Sequence, residues 1–477
     1  MIQYRTFFNR SASIAFFSVA ISLSTYASEP LAAQIAKIEP FDSLTAVLIQ
    51  DISPSNRTNP PPILYQRNAH KRFLPASTMK LLTAVATSSY LGPKFTFKTR
   101  IYSDAPIVKG IIEGDLFIAF SGDPSFTKQD LFILLQKLKT QGLNKITGNL
   151  YLLGANEETL HAPGWAWEDL TMCYASPISQ YAINQNCIKA TLLPSPTTAS
   201  SGLTFNENEP ISITTAATFS PQNKDCELNL ISLPNNQFHI TGCFSNPKGV
   251  KLQIAVSDPL IYAKQTLKQL MSSLAIQLNG QLINKQQDMN KLSLLVTHQS
   301  KPLSQLLNTL LLKSDNFIAD SLIKKMGQNT QGKNALKQGI VILREELNSL
   351  GIDLTHATIV DGSGLSRYNL LSASQLASIL HLISTDSRFK YLLDSLPISG
   401  VKGTLSHRYG FDKKPIKQHV IAKTGTLKGV NNLAGFIKTD TGKLLLFVSL
   451  ENGISEPLPS EKPIAFNLAL ATLLVKQ

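Results

Sequence analysis

Apolar residues change their spacing several times along this chain, and each change marks an element. After an N-terminal apolar block the pattern predicts a short helix and then a strand over Leu44–Asp51, with Ile63–Gln66 as its returning partner. At Phe73-Leu74-Pro75-Ala76-Ser77-Thr78-Met79-Lys80 the spacing turns helical and stays so to Leu91. Pro75 and Ser77 are start signals, so Ser77 is expected at the N-terminus of a buried helix. Residues 93–160 read as short alternating strands (Phe95–Tyr102, Gly114–Ser121, Ile146–Leu153) with a helix near Asp130–Gln141. Residues 190–257 are strand-like and rich in Ser, Thr, Pro and Asn. Helical spacing returns at Pro259 and dominates residues 302–350. Val420–Thr424 is a predicted strand, and Asn432–Lys438 with Lys443–Glu451 a hairpin around Asp440-Thr441-Gly442. The last helix, Pro463–Lys476, is apolar. Its polar face carries too little charge for a membrane-surface anchor, so it is expected to pack on the sheet.

The chain has 477 residues, 43% of them apolar and 16% charged. That composition excludes a chain disordered throughout, a coiled coil and a collagen-like repeat. Only Ile14–Leu23 is a long apolar run, which argues against a polytopic membrane protein. Arg5 and Arg10 precede it and Thr25-Tyr26-Ala27 follows, the make-up of a secretory signal over residues 1–27. An uncleaved anchor is the alternative, but the run is short of the about 20 residues a span needs. Export to the periplasm changes the reading of charge and thiols. The net charge of +13 then favours anionic envelope polymers and membrane surfaces over nucleic acid as partners. Cys173, Cys187, Cys226 and Cys243 would meet an oxidising compartment. Four cysteines allow three pairings. Cys173–Cys187 with Cys226–Cys243 closes the shortest loops and is the pairing expected. Their spacing does not suit zinc, the histidines form no HExxH pair, and no G-x-S-x-G occurs, so no metal or cofactor is expected.

Three short motifs carry the candidate chemistry. In Ser77-x-x-Lys80 both side chains share one helix face. A serine hydroxyl needs a base, and a lysine serves as one only if burial lowers its pKa. Ser314-Asp315-Asn316 offers a proton relay at Ser314 and a donor–acceptor amide at Asn316. In Lys423-Thr424-Gly425-Thr426, Lys423 supplies a fixed positive charge, Gly425 permits close backbone approach, and the threonines can bind a carboxylate. Alone, each has a bland reading as a helix turn, a cap or a strand end. Asp361 and Ser363 are expected to shape a turn.

Together, in this order and behind an export signal, the motifs resemble those of the penicillin-binding proteins and serine β-lactamases. Ser121-Gly122-Asp123-Pro124, Gly164-Trp165-Ala166-Trp167-Glu168-Asp169-Leu170-Thr171, Asp361-Gly362-Ser363-Gly364-Leu365-Ser366-Arg367 and Asn432-Leu433-Ala434-Gly435 narrow the resemblance to the S13 family, the class C low-molecular-mass D-alanyl-D-alanine carboxypeptidase/endopeptidases of the penicillin-binding protein 4 type. The resemblance implies an α/β (α+β) multidomain fold. A transpeptidase-like unit, an antiparallel sheet flanked by helices, is expected over 28–92 and 292–477. A mixed unit would take 93–189 and 258–291, and a small β-rich unit 190–257. It implies Ser77 as nucleophile, Lys80 as base, Ser314 as proton relay, Asn316 as positioning amide, and Lys423, Thr424 and Thr426 as carboxylate site. The Ser77 and Thr426 N–H groups would form the oxyanion hole. It implies a site for the stem-peptide side-chain amine at Asp169, with Tyr174 and Arg367 nearby. Lys428 stands where a neutral polar residue is expected, which changes the charge of that subsite. The implied partners are peptidoglycan stem peptides and β-lactams, for a monomer or homodimer with at most peripheral membrane contact. Two alternatives use the same residues, a serine β-lactamase and a non-catalytic wall-binding scaffold. The first lacks a candidate deacylation base, and intact Ser77, Lys80 and Lys423 speak against the second.

Overall fold

The computed structural model describes residues 29–54, 56, 58, 60–154, 160–195, 201–206, 208–223, 225–285, 289–328, 334–455 and 464–477. The export signal expected over 1–27 lies outside the described residues. Among them, no helix is long and apolar enough to cross a membrane.

Both ends of the chain build one five-stranded antiparallel sheet, in the order Ile63–Arg67, Leu44–Asp51, Leu444–Asn452, Val430–Lys438, Val420–Leu427. Its residues alternate between two cores, as the period of two along a strand requires. Ala46, Leu48, Ala434, Phe436, Leu446, Val448 and Leu450 face one core. There they meet the helices Lys80–Leu91, Leu303–Lys313, Asn316–Gly327, Ala335–Ser349 and Ala373–Thr385. Val47, Ile49, Leu433, Ile437, Leu445 and Phe447 face the other, closed by Leu31–Ile38 and the final helix Phe466–Val475. That last helix packs on the sheet, as its charge-poor polar face predicts. The strand Leu444–Asn452 is covered on both sides and reads as a nearly unbroken apolar run, LLLFVSL.

A second five-stranded sheet runs Leu282–Lys285, Leu150–Leu153, Leu116–Ala119, Lys98–Ser103, Ser293–Gln299, with parallel and antiparallel pairs. The helices Lys128–Thr140 and Pro259–Ser273 cover it. Thr127 and Asp130 form a capping box at the start of the first helix, an arrangement worth about 1 kcal/mol. Ser293–Gln299 belongs to this sheet and not, as expected from the boundary at 292, to the first one. The reason is its antiparallel pairing with Lys98–Ser103, a partner nearly two hundred positions away that local spacing does not reveal. Strands from Cys187–Pro194 to Val250–Ala255 form the small β-rich part, in two sheets over cores around Ile240 and Phe238. The cysteines pair as the short loops suggest, Cys173–Cys187 and Cys226–Cys243.

Candidate active site

Ser77 sits in a 3₁₀ turn, Ala76–Met79, that runs directly into the helix Lys80–Leu91. The tighter turn replaces the α-helical start expected from the spacing. Ala76 has φ 46°, a left-handed conformation that alanine rarely takes. Two glycines let other backbone close on this turn. A Cβ on Gly364, at φ +80°, would fall 1.9 Å from the Ala76 carbonyl oxygen. One on Gly425 would fall 2.8 Å from that of Pro75. The turn is thus clamped between the Asp361–Ser366 loop and the strand Val420–Leu427.

Lys80 is fully buried. Its Nζ lies 2.9 Å from Ser77 Oγ, 2.6 Å from Asn316 Oδ1 and 2.6 Å from the Ser363 carbonyl oxygen. An ammonium has three donors and these acceptors fill them. A neutral amine has two N–H bonds and one lone pair. Asn316 Oδ1 and the Ser363 carbonyl can only accept, so the lone pair falls to the one partner with a proton to give, Ser77. Burial pushes the Lys80 amine down to about 8, against the opposing pull of Asp320, Asp361 and Asp315. Asp320 is itself fully buried, which raises its carboxyl, as does the neighbouring Asp361. Its Oδ1 accepts from the N–H groups of Gly362 (2.6 Å) and Ser363 (3.0 Å) and so holds the loop whose carbonyl meets Lys80.

Ser314 is not inside a helix. It is the left-handed residue (φ 58°) that ends Leu303–Lys313, and Asp315 then caps Asn316–Gly327 through Ile318 N–H at 2.9 Å. This break turns the Ser314 hydroxyl toward Lys423, whose Nζ lies 2.7 Å away. Lys423 also donates to the Thr424 carbonyl at 2.9 Å, and the Thr424 hydroxyl meets that of Thr404 at 2.8 Å. Sequence alone made Lys423 a fixed positive charge. In the fold it is fully buried. Burial, then Lys80 and Arg408, push its amine well below the ordinary lysine range. An arriving anion would favour the ammonium. Thr426, farther along the same strand, is exposed.

One family model, described as the D-Ala-D-Ala carboxypeptidase 3 (S13) family, matches residues 28–473. The chain belongs to the S13 family. It is 34% identical over 456 residues to D-alanyl-D-alanine carboxypeptidase DacB of Haemophilus influenzae, covering 92% of this chain and 91% of that one. It is 28% identical to a D-alanyl-D-alanine carboxypeptidase of Actinomadura sp. (strain R39), covering 86% and 78%. The crystal structure of penicillin binding protein 4 (dacB) from Haemophilus influenzae superimposes with a TM-score of 0.84 at 33% identity, covering 94% of this chain and 100% of that one. A second structure of that protein, complexed with a β-lactam, gives 0.80 at 32% identity, covering 93% and 98%. The mixed helix-and-sheet multidomain architecture is that of penicillin binding protein 4.

In this S13 chain the residues expected for the stem-peptide amine fall into two pairs. The Tyr174 hydroxyl donates to Asp169 Oδ1 at 2.5 Å. Burial first, then that bond, pushes the phenol up, so it stays neutral. Arg367 donates to the Lys428 carbonyl at 3.4 Å. Among the described residues no ion pair joins Arg367 to Asp169. Asp361 shapes its loop as expected, accepting from Gly364 and Ser366 N–H, Asn369 Nδ2 and Trp165 Nε1. Ser363 does more than shape a turn, because its carbonyl holds Lys80. Sequence reasoning passed over Asp320 and Arg408. Asp320 had a signal, lying four positions past Asn316 and so on the same helix face. Arg408 had none; it sits in a turn-rich segment and reaches Asn431.

The lowered Lys80 amine fixes the sign of a pH dependence. With Lys80 as the base of Ser77 the active form is the neutral amine, so acylation is expected to rise with pH, about ten-fold per unit below 8, and to flatten above it. Second-order rate constants for a penicillin between pH 6 and 9 check this. A rate that fell with rising pH would require an active ammonium.

Proposed function

We propose that this chain is a serine D-Ala-D-Ala carboxypeptidase and DD-endopeptidase of peptidoglycan, acting through an acyl-enzyme on Ser77. The observation that carries the reading is the double Ser–Lys arrangement, Lys80 on Ser77 and Lys423 on Ser314, with Asn316 bonded to Lys80. Ser77 Oγ attacks the carbonyl carbon of the penultimate D-Ala and its proton passes to neutral Lys80. The negative charge on the carbonyl oxygen is met by the N–H groups of Ser77 and Thr426. Collapse breaks the C–N bond, and the departing amine takes up the proton that Lys80 received from Ser77, relayed through Ser314. Water then attacks the ester and frees Ser77. Lys423, Thr424 and Thr426 hold the terminal carboxylate, whose charge favours the Lys423 ammonium. A β-lactam enters by the same attack and leaves slowly. Asp169, Tyr174 and Arg367 line the path of the stem peptide, and the site of action is the periplasm. In this reading residues 28–92 and about 300–477 form the catalytic unit, and the segments between them the inserted units.

Purified muropeptides incubated with the enzyme and weighed by mass spectrometry test this. Loss of a terminal D-Ala, together with conversion of cross-linked dimers to monomers, is the expected result. Unchanged masses would reject the activity, and loss of D-Ala with intact dimers would reject the endopeptidase half.

A further inference from the structure

Two hydrogen bonds tie an inserted segment to the Ser314-Asp315-Asn316 motif. Asn316 Nδ2 donates to the Tyr174 carbonyl oxygen at 2.8 Å. Gln185 Nε2 donates to Asp315 Oδ2 at 2.9 Å. Tyr174 and Gln185 are far from Asn316 in sequence, yet both lie in the loop that the Cys173–Cys187 disulfide closes.

The first bond decides which way the Asn316 amide points. A carbonyl oxygen can only accept, so the NH₂ group must face Tyr174 and Oδ1 must face Lys80. The second bond grips the residue that caps the following helix. Gln185 reaches it from an unusual backbone. Asn184, Gln185 and Asn186 have φ values of 51°, 58° and 50°, a run of left-handed residues without a glycine. The surrounding structure holds this run in place. Asn184 N–H donates to the Phe126 carbonyl at 2.9 Å, Asn186 Nδ2 to that of Pro177 at 2.9 Å, and Val256 N–H to that of Asn186 at 2.8 Å. Strain of this kind persists where other contacts over-determine it, and it gathers beside functional sites.

We propose that the disulfide-closed loop 173–187 is the positioning device of the catalytic base: Gln185 and the Tyr174 carbonyl fix Asp315 and Asn316, and through Asn316 they set the orientation of Lys80 against Ser77. This rests on the proposed acyl-enzyme chemistry and adds to it an inserted segment that builds the nucleophile's surroundings. Gln185 touches no reacting group and is a positioning residue. The titratable groups around Lys80 are Asp320, Asp361 and Asp315, with Lys423 across the site. When Gln185 is lost, Asp315 is released, Asn316 loosens and water reaches the amine. The burial that holds its pKa down is then relieved, and the pH limb of acylation moves upward.

Gln185→Gly is the variant of choice, because glycine suits the left-handed backbone while the side chain that donates to Asp315 is removed. Acylation by a fluorescent penicillin is followed from pH 6 to 10 in wild type and variant, per labelled site, with thermal unfolding measured alongside. The expected result is acylation roughly ten-fold or more slower at pH 7, as misplacement of a catalytic group costs, with the limb displaced to higher pH. A variant whose limb stays where the wild type's lies overturns the proposal, whatever its rate or melting temperature. A wild type that takes no label at Ser77 overturns the functional reading and this inference with it. A labelled wild type with an unmoved variant overturns this inference alone.

Discussion

Replacing Lys80 by Met slows acylation of Ser77 by about 10²–10⁴-fold, the contribution of a positioned general base. Met approximates the length and apolar stem of the lysine and fits a fully buried position. The nucleophile then has no acceptor for its proton, since Lys80 Nζ is the group placed 2.9 Å from it. Stability responds separately. Asn316 Oδ1 and the Ser363 carbonyl lose a donor, and each buried acceptor left without one costs about 1–3 kcal/mol. Removing a buried amine offsets part of that. Stopped-flow labelling gives the rate and denaturant unfolding the stability. A Lys80→Met protein that acylates within ten-fold of wild type would assign the base elsewhere.

Gly364→Ala is expected to damage fold and activity together. The new Cβ would lie 1.9 Å from the Ala76 carbonyl oxygen, 2.5 Å from its carbon and 2.9 Å from Met79 Cβ. Two of these are backbone atoms of the turn that carries Ser77, so no flexible side chain can yield. The left-handed φ of +80° adds strain for any residue with a Cβ. Overpacking alone costs about 1–3 kcal/mol. Relief requires the Ser77 turn or the Asp361–Ser366 loop to move. A shift of about 1 Å at a nucleophile can cost some 10²-fold in rate. Unfolding curves and penicillin labelling of the folded fraction measure the two effects. Near-normal labelling would mean that the loop, and not the Ser77 turn, gives way.

Sequence made the candidate catalytic groups legible wherever a short motif brings them together. Ser77 and Lys80 lie one helical turn apart, so their contact could be read from spacing. The sheet strands were legible for a related reason: Leu44–Asp51 and the 430–452 hairpin carry apolar residues dense enough to need cover on both faces. What escaped depends on distant chain segments meeting. Ser293–Gln299 pairs with a strand far upstream, a contact that local spacing does not reveal. The Ser363 carbonyl and the Tyr174 carbonyl are backbone groups that no residue type announces. The burial of Lys423 beside Arg408, which pushes its amine below the ordinary lysine range, is likewise a product of distant segments meeting and is not visible in the residue type.

Peptide mapping of the penicillin adduct locates the nucleophile. One adduct is expected, on the peptide containing Ser77, absent from Ser77→Ala and slowed in Lys80→Met. An adduct on Ser314, or one that persists in Ser77→Ala, would contradict Ser77 as the nucleophile.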